Sequence, residues 1–337
     1  MRSPCLLAVG LLAFAAFPAD AQLWHSLPAR APEPAANPVT PAKVDLGRIL
    51  FHDKRLSESR TVSCATCHSL KDGGADGQRS SVGVHGQNDG RNALTVWNVG
   101  FLTSYFWDGR SASLEDQAIA QLLNPLDMGI KDLPYLTARL RGIAGYKPYF
   151  ERAFGAAEAV VTAENAVKAI AAFERTLVTP DTPYDRYVNG DKTAMTEDQL
   201  RGMQYFQDVG CVQCHQGAAF DGPAIQVGTP FVMKFPTYSR SPYVASYELM
   251  KDQGLFEWTG KESDRFQWRV PSLRNLKYTA PYLHNGSVPT LADAVRVMGS
   301  TELGKTFTDG EVADLVAFLG ALSGPLPEVA VPTSLPQ

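Results

Sequence analysis

The chain has 337 residues, 31 basic and 35 acidic side chains giving a formal net charge of -4, and 45% apolar residues. That length and make-up fit a globular protein of about two ordinary domains. The slight acidity, with no Lys/Arg-rich run, argues against nucleic acid and against an anionic membrane surface as partners, since both call for a basic patch.

In chain order, residues 1–21 read as an export signal: Arg2 is a basic start, residues 6–17 are apolar, and Ala19-Asp20-Ala21 is a small-x-small cleavage site before Gln22. The apolar run is short for a bilayer and no later segment approaches about twenty apolar residues, so no membrane span is expected. Residues 22–43 are Pro/Ala-rich and aperiodic, which predicts an extended leader, either disordered or lying on a neighbouring subunit. A short helical pattern over residues 44–51 leads into Cys64-Ala65-Thr66-Cys67-His68. Residues 69–92 are dominated by Gly, Asp, Ser and Asn and predict a long loop of the kind that is functional or mobile.

A clear helix start follows at Ser113, an N-cap with Asp116 three residues later, and the apolar pattern Leu114, Ala118, Ile119, Leu122, Leu123 runs to Asn124-Pro125. Two more helices are predicted over residues 133–143 and 162–178, the second with Val167, Ile170, Ala171, Phe173 and Leu177 on one stripe. Thr179-Pro180-Asp181-Thr182-Pro183 breaks this pattern and reads as an interdomain linker. The division is then a domain 44–182, a domain 183–324 and a Pro-rich tail 325–337. The second half opens on the capping pair Thr196 and Gln199, whose helix runs into Gly210 and Cys211-Val212-Gln213-Cys214-His215. Residues 223–268 read as loops with a few short strands, and two last helices begin at Thr290 with Asp293 and at Thr308 with Glu311.

In C-x-x-C-H the two thiols bond the vinyl groups of one haem and the histidine is the proximal ligand of its iron. Two copies predict two covalently bound haem c groups, held by Cys64, Cys67 and His68 and by Cys211, Cys214 and His215. Zinc would need two further thiol or imidazole ligands at finger-like spacing near each copy, and neither copy has them. Cys5 falls in the export signal, so all the remaining cysteines belong to the motifs and no disulfide framework is left. Export together with haem attachment points to a bacterial periplasm. The predicted fold is mostly α, two cytochrome c-like haem domains with long loops and a few short strands.

Each iron's chemistry then depends on its sixth position: His or Met suits electron transfer, an open position suits peroxide. Outside the motifs the histidines are His25, in the leader, and His52, His85 and His284. His52, ending the first helix, reads as a surface or outlying imidazole. His85 is flanked by Gly83 and Gly86, where the backbone swings with little steric resistance; it is either a removable ligand or a solvent-exposed loop residue. Met298 shares an apolar stripe with Leu291, Ala294 and Val295, the usual signature of core packing. A methionine ahead of a final capped helix is also where a small cytochrome c domain carries its distal ligand, and a thioether there would make the second haem the high-potential entry point for electrons.

Taken together, the motifs resemble those of the bacterial dihaem cytochrome c peroxidases and their MauG-type relatives over residues 45–324. The resemblance rests on both C-x-x-C-H motifs, Asn92-Ala93-Leu94-Thr95-Val96, Phe106-Trp107-Asp108-Gly109-Arg110, Val270-Pro271-Ser272-Leu273-Arg274-Asn275 and Thr279-Ala280-Pro281-Tyr282-Leu283-His284-Asn285-Gly286-Ser287. It implies His85 as the displaceable ligand of an N-terminal, peroxidatic haem, Met298 as the distal ligand of a C-terminal haem, and Trp107 as the tryptophan coupling them. Gln117 and Asp127 fall at the distal glutamine and glutamate positions. Asn92 by its side chain, and Thr279 and Pro281 by their carbonyls, resemble ligands of an interdomain calcium ion, for which oxygen donors are apt; His284 lies beside a haem without ligating it.

Asp127 departs from the usual glutamate, so its carboxylate is about one methylene short and either transfers its proton less well or works through a water. The expected activity is reduction of hydrogen peroxide to water with electrons from a small periplasmic cytochrome c or cupredoxin, in a homodimer. The rivals are a MauG-like enzyme that oxidises aromatic residues of a protein partner, in which a tyrosine replaces the distal methionine, and a non-enzymatic dihaem electron carrier.

Overall fold

The computed structural model describes residues 23–337 other than Asp89 and Ala224; the expected export signal lies outside the described residues. The chain is mostly helical, and two helix crossings set its plan. Helix α1 (Pro41–His52) starts at Thr40, whose hydroxyl accepts from the Lys43 amide, with Pro41 in the first turn where a missing N–H costs nothing. The motif helix α2 (Cys64–Cys67), α3 (Leu114–Leu123), α4 (Leu133–Arg141), α5 (Lys147–Phe154) and α6 (Ala163–Glu174) complete the first half. α1 crosses α6 at Gly47, where a methyl group would overlap the Ala169 carbonyl and the Phe173 side chain. The second half contains α7 (Pro183–Val188), α8 (Glu197–Val209), α9 (Pro242–Ser246), α10 (Phe256–Thr259), α11 (Leu291–Glu302) and α12 (Asp309–Ala321). There α8 crosses α12 in the same manner, Gly202 lying against the Asp314 carbonyl and Phe318. Reciprocal capping boxes, Thr196 with Gln199 and Thr308 with Glu311, start both helices of this second crossing.

Each crossing seals a core. Leu46, Leu50, Phe51, Leu136, Tyr146, Phe150, Ile170 and Phe173 fill the first; Tyr184, Phe206, Phe220, Leu315, Phe318 and Leu319 fill the second. Each such side chain contributes about 1.5–3 kcal/mol by leaving water. A third cluster of Phe235, Trp268, Val288 and Val297 has Trp107 and Met298 packed against it. The sheet among the described residues is one antiparallel pair, β1 (Val232–Lys234) on β2 (Gln267–Arg269), with Met233 opposite Trp268. Among the described residues no helix is long and apolar enough to cross a membrane.

Three expectations change. The leader is neither disordered nor on another subunit: Trp24 packs among Tyr184, Phe206, Phe220 and Phe318, Leu27 is buried, and the Asn37 amide donates to Glu115 and to the Lys168 carbonyl. It begins on the second half and ends on the first. Helices α5 and α7 were not anticipated; α7 starts at Pro183, in a stretch that reads as a break although a first turn tolerates proline. Finally, the helix predicted to reach residue 178 stops at Glu174, and the following Thr-Pro stretch is pinned by two buried threonines: the Thr179 hydroxyl accepts from Asn98 and Asn275, and Thr182 caps α7. The tail returns across the first half, with Leu326, Val329 and Leu335 on its core and the Gln337 carbonyl accepting from the Gly145 amide at 2.6 Å.

Candidate functional site

Each C-x-x-C-H motif lies on the wall of a cavity. The first is bounded by Cys64, Cys67 and His68 on one side and by Gln117, Leu122 and Asp127 elsewhere. The second is bounded by Cys211, Cys214 and His215 together with Val295 and Met298. The residues from Asn92 to Thr95, with Trp107, Arg269 and Ser272, line both, so one strip of chain forms the shared wall.

The proximal histidines are held alike. His68 Nδ1 lies 3.1 Å from the Gly74 carbonyl and His215 Nδ1 3.0 Å from the Phe220 carbonyl. A carbonyl only accepts, so Nδ1 carries the proton in both rings and Nε2 is left as the metal-binding atom. Burial holds both imidazoles below the usual histidine range, which keeps them neutral as ligands must be. Burial also raises the thiols of Cys64 and Cys214 and pushes Cys211 up to about 12. Thiols outside any disulfide in apolar walls fit covalent attachment of a large apolar macrocycle, and among the described residues no three His, Cys, Asp or Glu side chains gather as a metal cluster would require. The residues present therefore fit haem.

The rest of each cavity differs. In the first, Gln117 projects from α3, and Asp127 follows its end, with its Oδ2 accepting from the Asn124 amide. Met128 also lines this cavity but is packed into the first core. In the second, Met298 comes from α11 and packs against the third cluster. Trp107 sits in the shared wall, its indole donating to the Asn92 carbonyl at 2.8 Å. Asn92, Thr279 and Pro281 all line the second cavity; the Asn92 amide nitrogen donates to the Gln78 carbonyl at 2.8 Å, so the end left over is an oxygen. His284 is buried, stacks on Trp268 at 4.2 Å, and is driven by desolvation to a pKa of about 4.

His85 does not join the others. It stands at φ 58° on an exposed turn, with Nε2 2.9 Å from a Glu58 carboxylate oxygen, and it does not line the first cavity. The turn is nonetheless fastened beside the acid: the Val84 amide donates to the Asp127 carbonyl at 2.9 Å, and a side chain on Gly83 would overlap the backbone of Leu126 and Asp127.

Sequence reasoning missed Glu174. It ends α6 in the wall of the first cavity, is 6% exposed, and its Oε2 has no hydrogen-bond partner. A glutamate one turn after Ile170, next to the stripe residue Phe173, was the signal. Arg91 was also missed; it crosses between segments to pair with Asp108 and Asp252 and lies over the Trp268 ring.

Two attachment motifs, each on its own apolar cavity, define a haem protein of the c-type cytochrome kind. A family model described as di-haem cytochrome c peroxidase matches residues 41–193, and one described as RoxA-like, cytochrome c-like matches residues 270–303. The cytochrome c551 peroxidase of Pseudomonas aeruginosa is 39% identical, the alignment covering 98% of this chain and 96% of that one. The cytochrome c peroxidase of Escherichia coli (strain K12) is also 39% identical over 87% of this chain, which spans 60% of that relative's length. A crystal structure of a MauG-like protein associated with microbial copper homeostasis superposes with a TM-score of 0.76 at 30% identity, over 90% of this chain and 95% of that one. The chain belongs to the di-haem cytochrome c peroxidase family and is an oxidoreductase of the peroxidase class.

Proposed function

We propose that the protein is a periplasmic dihaem peroxidase of two haem domains, 44–182 and 183–324, that reduces hydrogen peroxide to water with electrons from a small cytochrome c or cupredoxin. The observation that carries this reading is what stands in each cavity: Gln117 and Asp127 line the first, whose Met128 is packed into the core, and Met298 from α11 lines the second. Haem iron held through His68 and His215 would supply the electron chemistry. The remaining work belongs to the chain. His68 and His215 hold their rings by the Nδ1 bonds to Gly74 and Phe220. Gln117 offers an amide N–H to orient bound peroxide, and Asp127 carries the proton between the two peroxide oxygens, so that two electrons and two protons yield two waters. Trp107 couples the cavities from their shared wall.

With His85 paired to Glu58 and outside the first cavity, the arrangement corresponds to the open form of a gate in whose closed form His85 would help hold the first haem. Asn92, Thr279 and Pro281, which all line the second cavity, would hold calcium, and the enzyme works as a homodimer; the family resemblance supports both. Likeness to a MauG-like structure favours a second reading, oxidation of a protein partner, which the thioether of Met298 opposes. The test is stopped-flow mixing of half-reduced holoenzyme with peroxide, in wild type and His85→Gly. Wild type should form a high-spin first haem on half-reduction and consume peroxide, and the variant should do so without prior reduction. A variant that still needs reduction removes His85 from the gate, and a wild type that consumes no peroxide removes the function.

A further inference from the structure

The two proximal histidines are held by carbonyls of unequal security. The Gly74 carbonyl that accepts from His68 belongs to a residue at φ 73°, and glycine adopts that conformation without penalty. The Phe220 carbonyl that accepts from His215 belongs to a residue at φ 56°. A bulky side chain is disfavoured there and persists only where its surroundings enforce it. Contacts from outside the loop hold both carbonyls, Val96 donating to Gly74, but only in the second must they also enforce a conformation the residue itself disfavours.

We propose that the N-terminal arm clamps the second loop, with Trp24 a positioning residue for His215. Trp24 packs on Tyr184, Phe206, Phe220 and Phe318 at ring distances of 6.3, 6.5, 6.2 and 6.0 Å. Of these, Phe220 is the strained residue itself and Phe206 lies 6.4 Å from the His215 ring. A polar line runs alongside. The Leu27 amide donates to Asp185 at 2.8 Å, Asp185 accepts from Arg274 at 2.8 and 2.9 Å, and Arg274 donates to the Ala218 carbonyl at 2.8 and 2.6 Å. Ala218 stands two residues before Phe220 in the same loop. Apolar and polar contacts from one short arm thus converge on the carbonyl that orients His215, and hydrogen bonding to a ligating imidazole tunes the metal it holds.

The inference rests on His215 being a haem ligand. Its test is redox titration of the full-length mature holoprotein in wild type, Trp24→Ala and Trp24→Phe. In Trp24→Ala the second haem should shift by at least about a threefold change in its oxidised-to-reduced ratio at a fixed ambient potential, with the first haem unmoved, and Trp24→Phe should restore it. Two attached haems with unchanged potentials, or a shift shared by both, would overturn the clamp while leaving the peroxidase reading intact. Absence of two c-type haemochromes in wild type would remove that reading instead. If Trp24→Ala does not accumulate, Trp24→Leu, which keeps apolar bulk without the ring, gives the same decision.

Discussion

Replacing Glu174 by glutamine should stabilise the protein, by an amount that grows as pH rises from about 4.3 to about 8. The carboxyl is almost fully buried at the end of α6, with one oxygen lacking any partner. Desolvation, opposed by the Arg175 guanidinium and reinforced by Glu115, pushes its pKa up to about 8. In the unfolded chain a glutamate ionises near 4.3. Between these values the folded protein holds a proton that the unfolded chain has released, so stability falls as pH rises through the window and levels off above about pH 8. The full loss, at 1.36 kcal/mol per pH unit, is about 5 kcal/mol. Glutamine keeps the shape and stays neutral at every pH. Urea unfolding of holoprotein should therefore show Glu174→Gln close to wild type at pH 5 and about 2–5 kcal/mol more stable at pH 8.5. Equal differences at the two pH values, or a variant less stable at pH 8.5, would refute the assignment of a neutral buried acid.

Asp127→Asn should leave both haems attached and lower peroxide turnover by about 10²–10⁴-fold, the range for a lost general acid–base group, measured as steady-state oxidation of a reduced cytochrome c. Met298→Ala should lower the midpoint potential of the second haem and leave the first unchanged, read by spectroelectrochemical titration. Asp185→Asn leaves the Arg274 guanidinium, which is 1% exposed, without its counter-charge; it should cost about 3–5 kcal/mol in denaturant unfolding. Gly202→Ala, whose methyl would meet the Asp314 carbonyl across the α8–α12 crossing, should lower stability by about 1–3 kcal/mol or more in the same measurement.

What the sequence displayed was whatever chemistry writes locally. Ser113, Thr196, Thr290 and Thr308 mark helix starts because a side-chain oxygen three residues from an amide is a short-range interaction, and all of them cap helices in the structure. The C-x-x-C-H spacing is equally local. The unread features arise from long-range packing. Nothing around Trp24 in the Pro/Ala-rich leader reveals that it inserts into an aromatic cluster more than 150 residues away, and Pro183 reads as part of a break when it sits in the first turn of a helix. His85 shows the same limit from the other side, since a residue between two glycines announces freedom to move without saying which position is occupied. The two motifs themselves read as equal copies. Their inequality lies in the residues that supply the acceptor carbonyls, Gly74 for one and Phe220 for the other, and a phenylalanine in the left-handed region cannot be recognised until the backbone is seen. The first proximal loop turns on a glycine and is tied by Thr95 and Val96, some twenty residues on, whereas the second has a segment from the far end of the sequence packed on it.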